Sequence, residues 1–228
     1  PLACPREATL LEVSLTGIAG ELPLLQGPGQ DASTGGGDGK AVTYRIRRNP
    51  GSPAKISGPP YDVDSYRWLL PASQVESDHP EIINTAREVT RGLSDPLAKV
   101  RRLAAWVAHT VKEAPVDSFS ALEVLRTKKG ECQAHTMLYT ALARAAGIPT
   151  RMAGGIVYMD GVGFLYHAWA ESDAGGWVSV DPTFDQVGVD ATHIKLVEGP
   201  GWLAIVPIGR VVGRVAATVI DYQAACRP

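Results

Sequence analysis

The chain has 228 residues, a hydrophobic fraction of 45% and a formal net charge of −2 at pH 7. This length suits one main core with a smaller appendage, and the apolar fraction is sufficient to fill that core. The nearly neutral charge argues against nucleic acid as a partner, because phosphate binding requires a basic surface. No apolar run reaches the length of a membrane span, so we expect no direct insertion of this chain into a membrane.

The first part of the chain has the composition of strands separated by loops. Residues 8–15 and 41–48 favour strands, and the second run alternates apolar with polar side chains, which predicts one buried face. Residues 26–40 are dominated by Gly, Asp and Ser and are interpreted as a mobile loop, because no Lys-Ser/Thr pair or helix follows that would indicate a phosphate-binding loop. A Pro/Gly-rich connector over residues 49–60 leads to residues 61–70, which we expect to be a strand or an extended arm.

Three helices are predicted next, each from a capping signal. Asp78 starts a helix that ends near Gly92, Ser94 caps a second helix, and Ser120 caps a short helix over residues 121–126. The second helix has apolar residues at helical spacing, namely Leu97, Val100, Leu103, Val107 and Val111. These helices are expected to form a scaffold for the helix that follows.

That fourth helix, predicted over residues 131–146, is apolar on most sides and is therefore expected to be buried. It begins after Gly130 and is ended by Gly147 and Pro149. Cys132 lies in its first turn, where unpaired backbone N–H groups and the positive end of the helix dipole favour the thiolate form. Taken alone, Cys132 would be interpreted as a small buried apolar residue, which is the usual role of a free cysteine.

Downstream, three runs of strand composition are joined by Gly-containing turns, at residues 152–158, 164–171 and 177–181. They predict a three-stranded antiparallel meander, with His167 in its second strand and Asp181 at the end of its third. Neighbouring antiparallel strands bring such side chains together, so a hydrogen bond between them is expected. Trp169 projects from the same strand face as His167 and is a candidate for shielding the pair from water or for binding substrate.

The last part of the chain is predicted to add three strands, at residues 191–198, 202–207 and 211–220. The β-half would then be a sheet of five or more strands. We therefore expect an α+β fold in which a helical half packs on an antiparallel sheet. The predicted domains are a β-rich N-terminal appendage over residues 1–75 and a catalytic core over residues 76–228.

Several motifs, in this order, resemble the core of the transglutaminase-like superfamily and in particular its bacterial members: GEC at a helix start, ALARAAGIPTR, HAWAE and W-x-x-x-DPT. The similarity covers roughly residues 77–199. It implies a papain-like transglutaminase-core fold, with Cys132 as nucleophile, His167 as general base and acid, and Asp181 as the carboxylate that orients the imidazole. Glu131 stands where an Asp is more usual before the cysteine, a change that removes no catalytic atom.

A nucleophile, a base and an orienting carboxylate predict acyl transfer through a thioester of Cys132. The resemblance to bacterial members favours hydrolysis of a peptide or amide bond, as in a cysteine peptidase or amidase. Two alternatives stay open: a protein-glutamine γ-glutamyltransferase that cross-links proteins, and a peptide-binding or scaffolding module of the same fold. The expected partner in each case is a protein or peptide.

The remaining cysteines and histidines indicate neither a metal nor a cofactor. Cys132-x-x-His135 has half of a zinc-ligand spacing without a second half, and no clustered acidic loop suits calcium. Cys4 and Cys226 lie near the two ends of the chain, where they could form a disulfide or remain free thiols. A longer motif, YHAW…GGWVSVDPTF…DATHIKL, resembles exported or membrane-associated bacterial proteins, which favours an extracytoplasmic location over a cytoplasmic one.

Overall fold

The computed structural model describes residues 1–35, 40–48, 63–116 and 120–226. Within these ranges the helices are α1 (Pro80–Val89), α2 (Pro96–Thr110), α3 (Ala121–Thr127) and α4 (Cys132–Ala145). The strands are β1 (Ala8–Thr16), β2 (Gln30–Gly35), β3 (Ala41–Arg47), β4 (Lys112–Glu113), β5 (Lys129–Gly130), β6 (Thr150–Met159), β7 (Gly163–Asp173), β8 (Trp177–Asp181), β9 (Gln186–Val187), β10 (Ile194–Gly199) and β11 (Ala216–Ala224). Among the described helices, none combines the length and the apolar character that crossing a membrane requires.

The elements pack as three layers around a central antiparallel sheet with the strand order β10-β6-β7-β8-β9. The helices cover one face of this sheet, and a second antiparallel sheet with the order β11-β1-β3-β2 packs on the other. Successive residues of β10 show this division, because Leu196 belongs to the core shared with β1 and β3 whereas Val197 belongs to the core shared with the helices. The predicted α+β fold and the antiparallel meander β6-β7-β8 are confirmed.

The helix starts differ from the predicted ones by one residue. The cap of α1 is His79 rather than Asp78, and the cap of α2 is Asp95 rather than Ser94. Both helices have proline at their first position, and the residue before a proline favours extended backbone, which is the conformation of a cap. Ser120 caps α3 as predicted, with its hydroxyl accepting from a backbone N–H at 3.2 Å.

The N-terminal half contains more regular structure than the sequence suggested. Gln30–Gly35, within the expected loop of residues 26–40, is strand β2, and residues 36–39 lie outside the described ranges. The Gln30 side chain donates to the Lys195 carbonyl at 2.9 Å and accepts from the Lys195 N–H at 2.8 Å, so a contact distant in sequence fixes this strand. The connector at residues 49–60 also lies outside the described ranges.

The prediction of a strand or extended arm over residues 61–70 is wrong for the part of this segment that the structure describes. Val63–Leu69 is a 3₁₀ helix, and residues 61–62 lie outside the described ranges. A 3₁₀ helix repeats every three residues, so Ser65 and Trp68 project from the same side. The Ser65 hydroxyl donates to Asp173 at 3.0 Å, and Trp68 packs edge-on against Trp177, and these two contacts explain the helical conformation.

The C-terminal strands were predicted less well than the core. Trp202–Ala204 and Val206–Val211 are 3₁₀ helices rather than strands, and Ile205 between them is buried in the helix-side core. Strand β11 starts only at Ala216 and pairs with β1, not with the central sheet. One sheet thus contains strands from both sides of residue 75, with β11 beside β1. The division into two domains at residue 75 stays a prediction.

The pairing of β1 with β11 also brings the ends of the chain together. Cys4 and Cys226 form a disulfide, with 5.6 Å between their Cα atoms. Of the two possibilities for Cys4 and Cys226, the structure therefore has the disulfide and not the free thiols. Disulfides of this kind are typical of oxidising compartments, although the extracytoplasmic location itself remains a prediction.

Candidate active site

Cys132 is the first residue of α4, a helix that is buried continuously from Ala134 to Arg144. The side chain of Cys132 is partly exposed, in contrast to this buried stretch. The Thr136 hydroxyl, one turn further along, donates to the Ala168 carbonyl of β7 at 3.0 Å. This bond fixes the start of α4 against the strand that contains His167.

His135 anchors the same end of α4. One ring nitrogen lies 2.9 Å from the Glu131 carbonyl, and the other lies 3.2 Å from the Val111 carbonyl at the end of α2. The ring is 3% exposed, so it has no access to a ligand. His135 is therefore a structural contact that holds the Cys132 turn.

His167 and Asp181 are hydrogen-bonded, with 2.8 Å between His167 Nε2 and Asp181 Oδ2. The other oxygen of Asp181 accepts from the backbone N–H groups of Thr183 and Phe184, at 2.8 and 3.2 Å. This turn after β8 fixes the carboxylate. Because Nε2 donates to Asp181, Nδ1 is the His167 nitrogen that can exchange a proton with a thiol.

Cys132 and His167 line one open pocket of about 270 Å³. Val157, Met159 and Leu165 form an apolar part of its lining, and Glu113 and Glu131 add two carboxylates. The thiol of Cys132 lies 3.6 Å from the amide oxygen of Gln133. The pocket therefore gives a solvent-borne ligand access to the sulfur and to the imidazole together.

Burial and charge act in opposite directions on the two buried partners. Burial lowers the pKa of His167, but the charge and hydrogen bond of Asp181, together with the Cys132 side chain, raise that pKa to about 10. Burial likewise raises the pKa of Asp181, but His167 and a second histidine, His193, hold that pKa well below its usual range. At neutral pH the pair is thus an imidazolium and a carboxylate.

Residues 83–182 match the family described as the Transglutaminase-like superfamily, a range that contains Cys132, His167 and Asp181. This part of the chain is similar to a transglutaminase-like core. A candidate cysteine protease from Cytophaga hutchinsonii has a similar structure, with a TM-score of 0.58 and 14% identity over 96% of this chain and 90% of that one. At this identity the likeness supports a shared fold alone.

Two further relatives are more distant or shorter. The periplasmic domain of TgpA from Pseudomonas aeruginosa has a TM-score of 0.48 and 21% identity, with 81% of this chain and 85% of that chain covered. An uncharacterized protein of Mycobacterium leprae is 28% identical over 109 residues, which are 45% of this chain and 39% of that protein. The match thus spans less than half the length of this curated relative.

Three residues behind the Asp181 carboxylate were not predicted as part of the site. His193 Nε2 lies 3.0 Å from the same Asp181 oxygen that accepts from His167. Asp190 contacts the other side of the His193 ring, and Arg6 pairs with Asp190 at 3.1 Å. The motif DATHIKL contains two of these residues and was noted for its resemblance, but Arg6 is 184 positions earlier than Asp190 and leaves no local signal.

The structure places Trp169 behind the site rather than in the pocket. Its side chain is 2% exposed and stacks on His167 at 6.3 Å, while His193 contacts it edge-on at 5.2 Å. Trp169 is not among the described residues that line the Cys132 pocket. The expectation that it binds substrate is therefore corrected, because the ring is sealed in the core; its contacts fit the shielding of the His167 and Asp181 pair.

Across the described ranges, one cluster of side chains has the spacing that a metal ion needs: His167, Asp181 and His193, whose ligand atoms lie within 4.8 Å of one another. Each histidine-to-carboxylate distance is that of a hydrogen bond, at 2.8 and 3.0 Å. Backbone N–H groups already occupy the other Asp181 oxygen. We therefore interpret the cluster as a hydrogen-bonded network.

Proposed function

We propose that this chain is a cysteine hydrolase that cleaves a peptide or amide bond through a thioester of Cys132. One observation carries the proposal: Cys132 and His167 line the same open pocket while Asp181 holds His167 from behind. A buried packing cysteine has no need of this arrangement. In the proposal Cys132 is the nucleophile, His167 the acid and base, and Asp181 the residue that orients His167.

The first half-reaction forms the thioester. Nδ1 of His167 holds the proton that the thiol has given up, and the thiolate sulfur attacks the carbonyl carbon of the substrate. The negative oxygen that results accepts a hydrogen bond from the backbone N–H of Cys132 in the first turn of α4. The Gln133 amide, beside the sulfur, can add a second donor if its amide group rotates. His167 then protonates the leaving amine, and the carbon–nitrogen bond breaks.

The second half-reaction releases the acid. A water molecule gives a proton to His167 Nδ1 while its oxygen attacks the thioester carbon. The carbon–sulfur bond breaks and the acid leaves, so that the thiolate again faces His167 protonated at Nδ1. If an amine replaced water here, the product would be a new amide, which is the cross-linking reaction.

The apolar part of the pocket lining favours an acyl group with an apolar side chain beside the bond that is cleaved. Val157 and Met159 of β6 and Leu165 of β7 provide this surface next to His167. We expect peptides with a bulky apolar residue at this position to react faster than peptides with glycine there, because the apolar contact removes more surface from water.

The test combines a peptide panel with Cys132→Ala. The chain is incubated with peptide amides, with and without a primary amine donor, and the products are identified by mass spectrometry. We expect hydrolysed peptides and a transient mass increase on the wild-type chain, both lost in Cys132→Ala without a change in melting temperature. Amine incorporation in place of hydrolysis would favour cross-linking, and full activity of Cys132→Ala would refute the assignment.

A further inference from the structure

Asp181 is shared between two histidines. Its Oδ2 atom lies 2.8 Å from His167 Nε2 and 3.0 Å from His193 Nε2, and the carboxylate is completely buried. A carboxylate oxygen accepts hydrogen bonds only, so both nitrogens must carry a proton. His193 therefore contributes a second N–H donor to the group that orients His167.

The second nitrogen of His193 also faces acceptors. His193 Nδ1 lies 3.2 Å from the Asp190 carbonyl oxygen and 3.4 Å from Asp190 Oδ1. A neutral imidazole has a single N–H, so it could satisfy only one side of this ring. An imidazolium donates on both sides, and the ring is 3% exposed, so water cannot replace either partner.

We propose that His193 is a buried imidazolium that acts as a positioning residue, holding the Asp181 carboxylate in the orientation that His167 requires. The inference rests on the reaction proposed above. His193 does not touch the pocket in which a substrate would bind. It acts on His167 through the carboxylate that both rings share.

Charges of alternating sign extend the network away from the pocket. Asp190 is completely buried between His193 and Arg6, whose guanidinium lies 3.1 Å from Asp190 Oδ2. The Thr192 backbone N–H donates to Asp190 Oδ1 at 2.9 Å. The sign of the charge thus alternates along the series Arg6, Asp190, His193 and Asp181. Each buried charge in it has a partner of opposite sign.

The other charged groups near His193 are already paired. A cavity of about 10 Å³ is lined by His193, Glu171, Lys195 and Arg47. Lys195 pairs with Glu171 at 2.9 Å, and Arg47 pairs with Asp31 at 3.1 Å. These pairs add little net charge, so Asp181 and Asp190 dominate the environment of the ring. Burial lowers the pKa of His193, but Asp190 and Asp181 outweigh burial and raise it.

A first experiment measures the charge of His193 without any substrate. The full chain has five histidines, so a sample labelled with ¹⁵N-histidine gives a simple spectrum, and the signals lost in His193→Gln identify the ring. At pH 8 we expect two protonated nitrogens with imidazolium shifts. A neutral ring with one bare nitrogen at pH 7 would overturn the inference.

A second experiment measures the effect on Cys132 through its rate of alkylation by iodoacetamide as a function of pH. His193→Gln keeps an N–H donor but removes a positive charge that lies 5.9 Å from the His167 ring. Removing this charge favours the protonated forms of its neighbours, so we expect the inflections of the profile to move to higher pH by about one unit. Below the inflection the rate then falls about tenfold.

His109→Gln is the matched control, because His109 is exposed on α2 and should leave the profile unchanged. If His193→Gln lowers only the melting temperature and leaves the profile of the wild type, His193 is merely structural and the inference fails. An imidazolium and a shifted profile without any peptide cleavage would support this inference while refuting the proposed hydrolysis.

Discussion

Replacing the Cys4–Cys226 disulfide by two serines should destabilise the chain strongly. The bridge joins residues 222 positions apart, so it closes nearly the whole chain into a loop. In the chain-entropy model a loop of this size corresponds to about 5 kcal/mol, and measured losses from native bridges are about 2–5 kcal/mol. Total stabilities are typically about 5–15 kcal/mol, so the bridge supplies a large share.

The assay is urea unfolding of Cys4→Ser/Cys226→Ser beside the oxidised wild type. With a denaturant slope of about 3 kcal/mol per M, a loss of 2–5 kcal/mol lowers the midpoint by about 1–2 M. Cys132→Ala keeps the bridge and should have the wild-type midpoint. A loss below about 0.5 kcal/mol would contradict this expectation, since it would mean that residual contacts already restrict the unfolded chain as much as the bridge does.

Two further predictions concern the central sheet. Gly155→Ala should destabilise by at least about 1–3 kcal/mol in thermal unfolding, because its Cβ would lie 1.9 Å from the Ile194 carbonyl oxygen, whereas Gly209→Ala, with no atom within 4 Å, should be neutral. The pH dependence of stability follows from the two shifted groups. The pKa of His167 is raised to about 10 in the folded chain, so its stabilising contribution is complete below the unfolded pKa near 6.5 and is lost as the pH rises toward 10. The pKa of Asp181 is lowered in the folded chain, so its stabilising contribution is present above about pH 4 and is lost as the pH falls into the acid range. Melting temperatures at pH 3, 5.5 and 9.5 should therefore be highest at pH 5.5, and Asp181→Asn should flatten the curve on both sides.

The part of the fold that local patterns specify was predictable. The run of helix formers after Gly130, bounded by Gly147, predicts α4 within one residue at each end. The meander follows from strand composition and from turns that contain glycine, and its register brings His167 within reach of Asp181. Each of these features depends on residues that are close in sequence.

The features that were missed depend on distant contacts. Strand β2 lacks strand composition, and it is held by its pairing with β3 and by the Gln30 bonds to Lys195. Strand β11 was assigned to the wrong sheet, because both sheets offer an antiparallel partner and composition does not distinguish them. The contact of Arg6 with Asp190 could not be predicted for the same reason, since only the folded chain brings these two residues together.

These distant contacts connect the N-terminal segment with the candidate active site. The disulfide fixes Cys4, two residues before Arg6, beside the end of β11. Arg6 neutralises Asp190, and its guanidinium also lies 4.6 Å from the ring of Phe184, which stacks on His167 at 4.8 Å. The first residues of the chain therefore touch the His167 environment from two sides, through charge at Asp190 and through packing at Phe184. For this reason the segment before β1 supports the candidate active site, although it lies in the part of the chain predicted to be an appendage.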